Sequence, residues 1–164
     1  MPKFLYLTKT VKYNIVVVTN NPKEAANVLL TKECDYGLRV IRTLSDGQKR
    51  TVQVVCDTEH IPHKYAYKIL KKLQKAGLVQ NKRGPDGGYY LVKPLNTFTL
   101  YDVINAIDER LFLFECLRGG AQCPRNTGDA PCTFHHELER LQNMLISEMQ
   151  SKSMEEMLPT ISHN

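Results

Sequence analysis

The block from His60 to Val79, HIPHKYAYKILKKLQKAGLV, constrains the fold more than any other part of the chain. Its apolar residues recur at the three- and four-residue spacing of an amphipathic helix. Pro62 suits the first turn of that helix because its missing N–H costs nothing there, and Gly77 is the residue expected just after its end. Lysines occupy a narrow sector opposite the apolar stripe: Lys64, Lys68, Lys71 and Lys75. The block therefore predicts a helix that is buried on one face and positive on the other.

Two shorter helices and a hairpin are predicted around this block. Upstream, a helix is predicted from Lys32 to Leu44 and a second from Val52 to Asp57. Downstream, Leu78 to Gln80 and Tyr89 to Val92 are β-prone runs joined by the turn residues RGPDGG, which predict a hairpin. Helix, turn, lysine-faced helix and basic hairpin follow one another as in a winged helix-turn-helix. The predicted fold class is therefore mainly α, with a small β wing.

Positive charge is concentrated in the same region. The whole chain has a formal net charge of +5, whereas the segment from His60 to Lys93 has eight Lys or Arg residues and one acid, Asp86. A basic patch of this kind is typical of a surface that contacts nucleic acid. The alternative is a solvated basic helix beside an ordinary hairpin. The residues predicted to contact DNA from the helix are Lys64, Tyr67, Lys68 and Lys71.

Two further helices are predicted beyond the hairpin. The first begins after Thr97 or Thr99 and has Leu100, Val103, Ile104 and Ile107 on its apolar face. The second runs from Phe134 to Leu158, with an apolar stripe of Phe134, Leu138, Leu141, Leu145 and Met149. Such a stripe packs either on the protein's own core or on a second chain. We expect it to form the contact between the two subunits of a homodimer.

Residues 1–27 match no element of the predicted domain. Lys23-Glu24-Ala25 can be encoded by codons that contain a strong bacterial ribosome-binding sequence, with Val28 as a candidate start downstream. We expect residues 1–27 to be a non-native or disordered extension, and a chain that begins at Val28 to fold and bind DNA. An ordinary N-terminal arm is the alternative. The remaining chain is divided into a winged helix-turn-helix domain at 28–95, a linking helix and cysteine loop at 96–133, a dimerisation helix at 134–158 and a tail at 159–164.

A loop rich in Gly and Pro, from Cys116 to Cys132, contains three cysteines separated by six and eight residues. The chain has five cysteines, and its apolar run from Ile15 to Val18 is too short to span a membrane. A reducing, cytoplasmic location without disulfides or a membrane partner is therefore predicted.

Structural zinc sites usually have closer cysteine pairs, whereas an iron–sulfur cluster tolerates wider spacing. Spacing alone leaves a cluster, a zinc ion and metal-free thiols open. Cys34 and Cys56 lie in predicted helices and are expected to be buried.

The stretch from Leu29 to about Met157 resembles the IscR/NsrR family of winged-helix transcriptional regulators. The resemblance rests on LLTKECDYGLRVI, IPHKYAYKILKKLQKAGLV, the wing RGPDGGYYL, the helix TLYDVINAID and the three cysteines that follow. It implies a homodimer that binds a double-stranded DNA operator, with Arg83 and Gly87 in the wing. It also implies an iron–sulfur cluster, 2Fe–2S in preference to 4Fe–4S, on Cys116, Cys123 and Cys132. The gaps between these cysteines are longer than is usual in the family.

Three cysteines leave one iron position open, and the resemblance suggests two candidates for the fourth ligand. His135 follows Cys132 by three residues, and an imidazole replaces thiolate readily in binuclear clusters. Asp35 in the first helix would supply a harder and more exchangeable carboxylate, from the opposite subunit. The alternatives are that Asp35 pairs with Arg39 and that His135 only begins the last helix. Ligand softness favours His135.

The function predicted is a DNA-binding transcriptional regulator controlled by an iron–sulfur cluster that senses redox state, nitric oxide or iron–sulfur status. One alternative is a thiol or zinc regulator that acts with a protein partner. Another is a small iron–sulfur redox or carrier protein. The chain has no Gly-rich cofactor fingerprint and no C-x-x-C pair, so an enzyme is not predicted.

Overall fold

The computed structural model describes residues 30–108, 112–118, 125–126 and 132–158. The extension at 1–27 and Cys123 lie outside the described residues. Within these ranges the protein has six α-helices and one two-stranded antiparallel sheet. They are α1 (Lys32–Thr43), α2 (Val52–Glu59), α3 (His63–Lys75), β1 (Val79–Lys82), β2 (Gly88–Leu91), α4 (Leu100–Ile107), α5 (Thr133–Gln150) and α6 (Met154–Met157). The mainly helical fold with a small wing is the one predicted.

Threonine side chains define the starts of three helices. Thr31 and Thr51 accept hydrogen bonds from backbone N–H groups in the first turns of α1 and α2. Thr99 forms a capping box with Asp102 at the start of α4, so Thr99 rather than Thr97 is the cap. These contacts satisfy N–H groups that have no partner within the helix. The starts of these three helices therefore follow largely from local sequence.

The core lies where α1, α3 and α4 pack together and α2 closes one side. The apolar face of α1 is buried, with Tyr36, Val40 and Leu44 all inside. The apolar face of α3 is likewise buried, whereas Ala76 is exposed just beyond the end of α3. Cys34 and Cys56 are buried as expected, and burial raises the pKa of the Cys56 thiol.

The wing is a hairpin in which Val79 pairs with Leu91 and Lys82 with Gly88. Its outer strand is held by the segment before α2, because Arg50 and Tyr89 exchange backbone hydrogen bonds of 2.9 and 2.8 Å. A Cβ at Gly88 would lie 2.9 Å from the Arg50 carbonyl oxygen. Glycine is therefore needed where the wing meets this segment. The strands begin and end within two residues of their predicted positions.

The last helix is shorter than predicted. α5 ends at Gln150, and Ser153 starts the separate helix α6 through a capping box with Glu156. Met154 is buried, and its N–H donates to the Phe98 carbonyl at 2.9 Å. The prediction of a single helix over 134–158 is therefore wrong. The cap at Ser153 and the burial of Met154 turn the chain back onto Phe98. No helix in the described ranges is both long and apolar enough to cross a membrane.

Candidate nucleic-acid interface and cysteine loop

Helices α2 and α3 pack on each other and are joined by a tight turn at 60–62. His60 has the left-handed backbone conformation, with φ of 53°, and ends α2. Ile61 follows in the core at 2% exposure, which anchors the turn. α3 is therefore the second helix of a helix-turn-helix, and its polar face points away from the core.

The predicted DNA-contacting residues of α3 are all exposed, but they differ in their surroundings. Tyr67 is 57% exposed. Lys64 and Lys71 form no ion pair within the described part of the chain. Lys68 instead pairs with Glu33 of α1. The neighbouring Tyr65 packs edge-on against Tyr36, with ring centroids 5.6 Å apart, so it supports the fold.

Glu33 is a residue of this surface that the sequence analysis missed. Its carboxylate accepts hydrogen bonds from Lys68 and Lys72, the second at 3.0 Å. These bonds, Lys68 first, hold the pKa of Glu33 below its ordinary value. Lys72 also donates to the carbonyl of Ile107, the last residue of α4. Glu33 and Lys68 are 35 residues apart in the chain, so no local pattern could have paired them.

The wing presents the second predicted contact region. Arg83 is exposed and directly follows β1. A Cβ at Gly87 would lie 2.5 Å from the Lys82 carbonyl oxygen, and the Gly87 N–H donates to the Gly84 carbonyl at 2.9 Å. Gly87 therefore shapes the tip of the wing, whereas Arg83 provides its charge.

The cysteine loop is described at its two ends. Cys116 lies in a short 3₁₀ turn, Glu115–Leu117, that packs on α5. Cys132 is the residue before α5, and its N–H donates to the Asn126 side chain at 3.0 Å. Both thiols are free and half-buried. The described residues contain no group of three metal-ligating side chains, and the set of Cys116, Cys123 and Cys132 stays a prediction because Cys123 lies outside them.

The two candidates for a fourth ligand have different surroundings. His135 lies in the first turn of α5, and its Nδ1 atom is buried without a hydrogen-bond partner among the described residues. Asp35 has a side chain that is 50% exposed and pairs with Arg39 at 2.9 Å. A buried polar atom without a partner is costly unless something else binds it. The position of His135 therefore suits a role as ligand better than that of Asp35, which already has Arg39 as a partner.

A helix-turn-helix with an outward basic face, followed by a basic wing, defines a winged helix-turn-helix DNA-binding protein. The elements α1, α2, α3, β1 and β2 follow one another in the order that this class requires. The chain belongs to the Rrf2 family, whose model is described as "Iron-dependent Transcriptional regulator" and matches residues 30–160.

Individual proteins of known sequence or structure are similar to this chain. Protein aau3 of Rhizobium meliloti (strain 1021) is 31% identical over 98 residues, which is 58% of this chain and 64% of that protein. The chain thus spans less than two thirds of that relative. Two solved structures share the fold. T. potens IscR has a TM-score of 0.61 at 17% identity, over 80% of this chain and 86% of its own. CymR (YrzC), the global cysteine regulator of B. subtilis, has a TM-score of 0.59 at 20% identity, over 78% and 94%.

Proposed function

We propose that this regulator is a homodimer whose binding to a double-stranded DNA operator is controlled by an iron–sulfur cluster. The cluster ligands are Cys116, Cys123, Cys132 and His135. The observation that carries the proposal is the buried Nδ1 of His135, which has no hydrogen-bond partner among the described residues and lies one turn beyond Cys132. The description of the matching family as iron-dependent supports the same chemistry.

The available donors fit a cluster. Cys116 and Cys132 are free thiols that are neither fully buried nor fully exposed, and thiolate and imidazole are the donors that iron–sulfur clusters use. Three thiolates, with an imidazole in place of a fourth, make 2Fe–2S the favoured form. When bound, the cluster supplies an iron centre that can change its oxidation state or be lost.

The contacts of the two loop ends support a route by which such a change would be transmitted. The first end contacts α5 through the turn that contains Cys116, and the Leu113 N–H donates to the Gln142 side chain of α5 at 3.1 Å. The second end is the start of α5 itself, with Cys132 and His135. Ligands from both ends would fix the loop on α5. Loss of the cluster would free the loop and shift α4, which packs between α5 and the DNA-reading domain.

The proposed dimer contact lies along α5. Phe134 is 79% exposed, and Leu141 and Met144 are exposed as well. Leu138 and Leu145 of the predicted stripe are half-buried and Met149 is buried, so the stripe faces the chain's own core toward its C-terminal end. Burial of the exposed part against the same surface of a second subunit would remove these apolar side chains from water.

The cluster is tested by the absorption spectrum of protein purified without oxygen. Cys116→Ala, Cys123→Ala and Cys132→Ala are each expected to abolish the visible iron–sulfur band, because each removes a ligand. His135→Ala should shift the band and the reduction potential, whereas Asp35→Ala should leave both unchanged. Cys34→Ala and Cys56→Ala are the controls, because those thiols are buried in the core. Stoichiometric zinc without iron or sulfide would contradict the proposal.

A thiol regulator without a metal is the second candidate. The wide gaps between the loop cysteines support it, since free thiols need no fixed spacing. The same preparation separates the two candidates, because a thiol regulator is colourless and its operator binding responds to oxidants in the absence of iron.

A further inference from the structure

A cleft of about 690 Å³ lies between the start of α1, the exposed face of α3 and the end of α4. Glu33 and Asp108 are the acids that line it, and Lys68 and Lys72 of α3 donate hydrogen bonds to Glu33. The Glu33 side chain is only 21% exposed, whereas that of Lys68 is 54% exposed. An anion from the protein thus already occupies part of the face that α3 turns toward solvent.

The two lysines are held differently. Lys72 is bound by the carbonyl of Ile107 as well as by Glu33, so it has a partner even when the carboxylate is removed. Lys68 is bound by Glu33 alone among the described residues. It lies on the same face as Lys64 and Lys71, the side chains expected to meet the phosphates of an operator. A DNA phosphate that approaches Lys68 must therefore displace Glu33 or leave Lys68 with its present partner.

We propose that Glu33 is an internal counter-ion that competes with a DNA phosphate for Lys68 and so limits the operator affinity of this protein. The proposal rests on the use of α3 as the DNA-reading helix. Under this proposal Glu33 affects DNA binding through its contact with Lys68, which makes it a positioning residue. Its physical basis is that each phosphate neutralised by a lysine releases condensed counter-ions, whereas a lysine already paired within the protein releases fewer.

The test is a salt titration of operator binding by the full chain with Glu33→Gln. Glutamine keeps the size of the side chain but loses its charge, so Lys68 becomes available to a phosphate. The expected result is binding that is roughly two- to fivefold tighter near physiological salt, because an exposed ion pair is a modest competitor. The plot of log affinity against log salt should also steepen by about 0.9, the value for one added phosphate contact.

Asp35→Asn is the matched control. It removes the same charge from the same turn of α1, but Asp35 pairs with Arg39 and not with α3. Its salt slope should equal that of the wild type. If both variants tighten binding with the same slope, the effect is one of total charge and the counter-ion proposal is wrong.

A double-mutant comparison separates this proposal from the proposed interface. Lys68→Ala should change the wild-type slope by much less than 0.9 and the Glu33→Gln slope by about 0.9. Equal effects in the two backgrounds would overturn the counter-ion proposal alone, provided that Lys71→Ala still weakens binding. If Lys71→Ala has no effect either, the α3 interface is wrong and the proposal falls with it. The wild-type arm needs no change at Glu33, so a loss of about 0.9 in that slope would overturn the counter-ion proposal even if Glu33→Gln folds poorly.

Discussion

Glu59 shows how a single side chain can join two helices inside the core. Only 6% of it is exposed, yet it is ionised, because Arg42 forms a two-pronged ion pair with it and the Thr43 hydroxyl donates at 2.9 Å. Burial raises the pKa of Glu59, but the hydrogen bonds from Arg42 and Thr43, together with the positive charges of Arg42 and Arg39, lower it by more, so the net shift is downward. The carboxylate thus ties the end of α2, and with it the turn into α3, to α1.

Glu59→Gln is expected to lower the free energy of unfolding by about 1–3 kcal/mol at neutral pH, because it weakens hydrogen bonds in the core. The folded pKa lies below the ordinary value of 4.5, so the stabilisation is present above that pH and is lost as the pH falls through the folded pKa. Urea titrations at several pH values measure this. The difference between wild type and variant should stay constant above about pH 5.5 and shrink below 4.5; a difference independent of pH would contradict it.

At the scale of the elements, the wing depends on a close backbone contact. Gly88 lies against Arg50, where the segment before α2 adds its backbone to the hairpin. The sequence motif RGPDGGYYL is therefore explained by packing as well as by turn formation. The position of the wing, and hence of Arg83 relative to α3, depends on Arg50, which lies 38 positions before Gly88 in the chain.

Gly88→Ala is expected to destabilise the protein by about 2 kcal/mol or more and to weaken operator binding, because the new methyl group meets the Arg50 carbonyl. Gly47→Ala is the matched control. Gly47 has a φ of 75° but no atom within 4 Å of the added Cβ, so it introduces backbone strain of about 1 kcal/mol without a clash. Thermal unfolding and operator affinity are measured for both. Equal losses of DNA binding would show that the contact with Arg50 does not position the wing.

At the scale of the whole molecule, the surroundings of α5 change along its length. Its C-terminal end packs on the protein's own core through Met149, and α6 continues this contact through Met154. Its N-terminal half carries the exposed apolar residues and begins at the cysteine loop. A subunit contact on this half would place the loop beside the dimer axis, where a change in the loop can alter the distance between the two α3 helices.

Leu141→Asp is expected to shift the protein from dimer to monomer and to reduce operator affinity by more than tenfold, because it places a charge in the apolar contact. Its helical content should be retained, since Leu141 is 40% exposed in the single chain. Asn143→Asp adds the same charge on another face of α5 and is the control. Sedimentation at several concentrations measures the association state. A Leu141→Asp protein that stays dimeric would place the subunit contact elsewhere.

Much of the fold could be predicted from the residues alone, because the signals are local. Apolar periodicity located α1, α3 and α4, threonine caps agree with the starts of α1, α2 and α4, and the glycines of RGPDGG predicted the hairpin. The burial of Cys34 and Cys56 followed from their positions on helices. The lysine sector of α3 was also correctly placed at the surface, since a helical wheel needs only the spacing of residues in one segment.

The tertiary structure decided what depends on residues far apart in the chain. It paired Glu33 with Lys68 and Lys72, tied Lys72 to the end of α4, and turned the chain after Gln150 back onto Phe98. It also buried one nitrogen of His135 and left Asp35 at the surface with Arg39. Periodicity records which side of a helix is apolar, but it carries no information on which polar groups meet when helices pack. The packing of the core decides which polar groups come into contact. These contacts determine whether a basic side chain is free or neutralised.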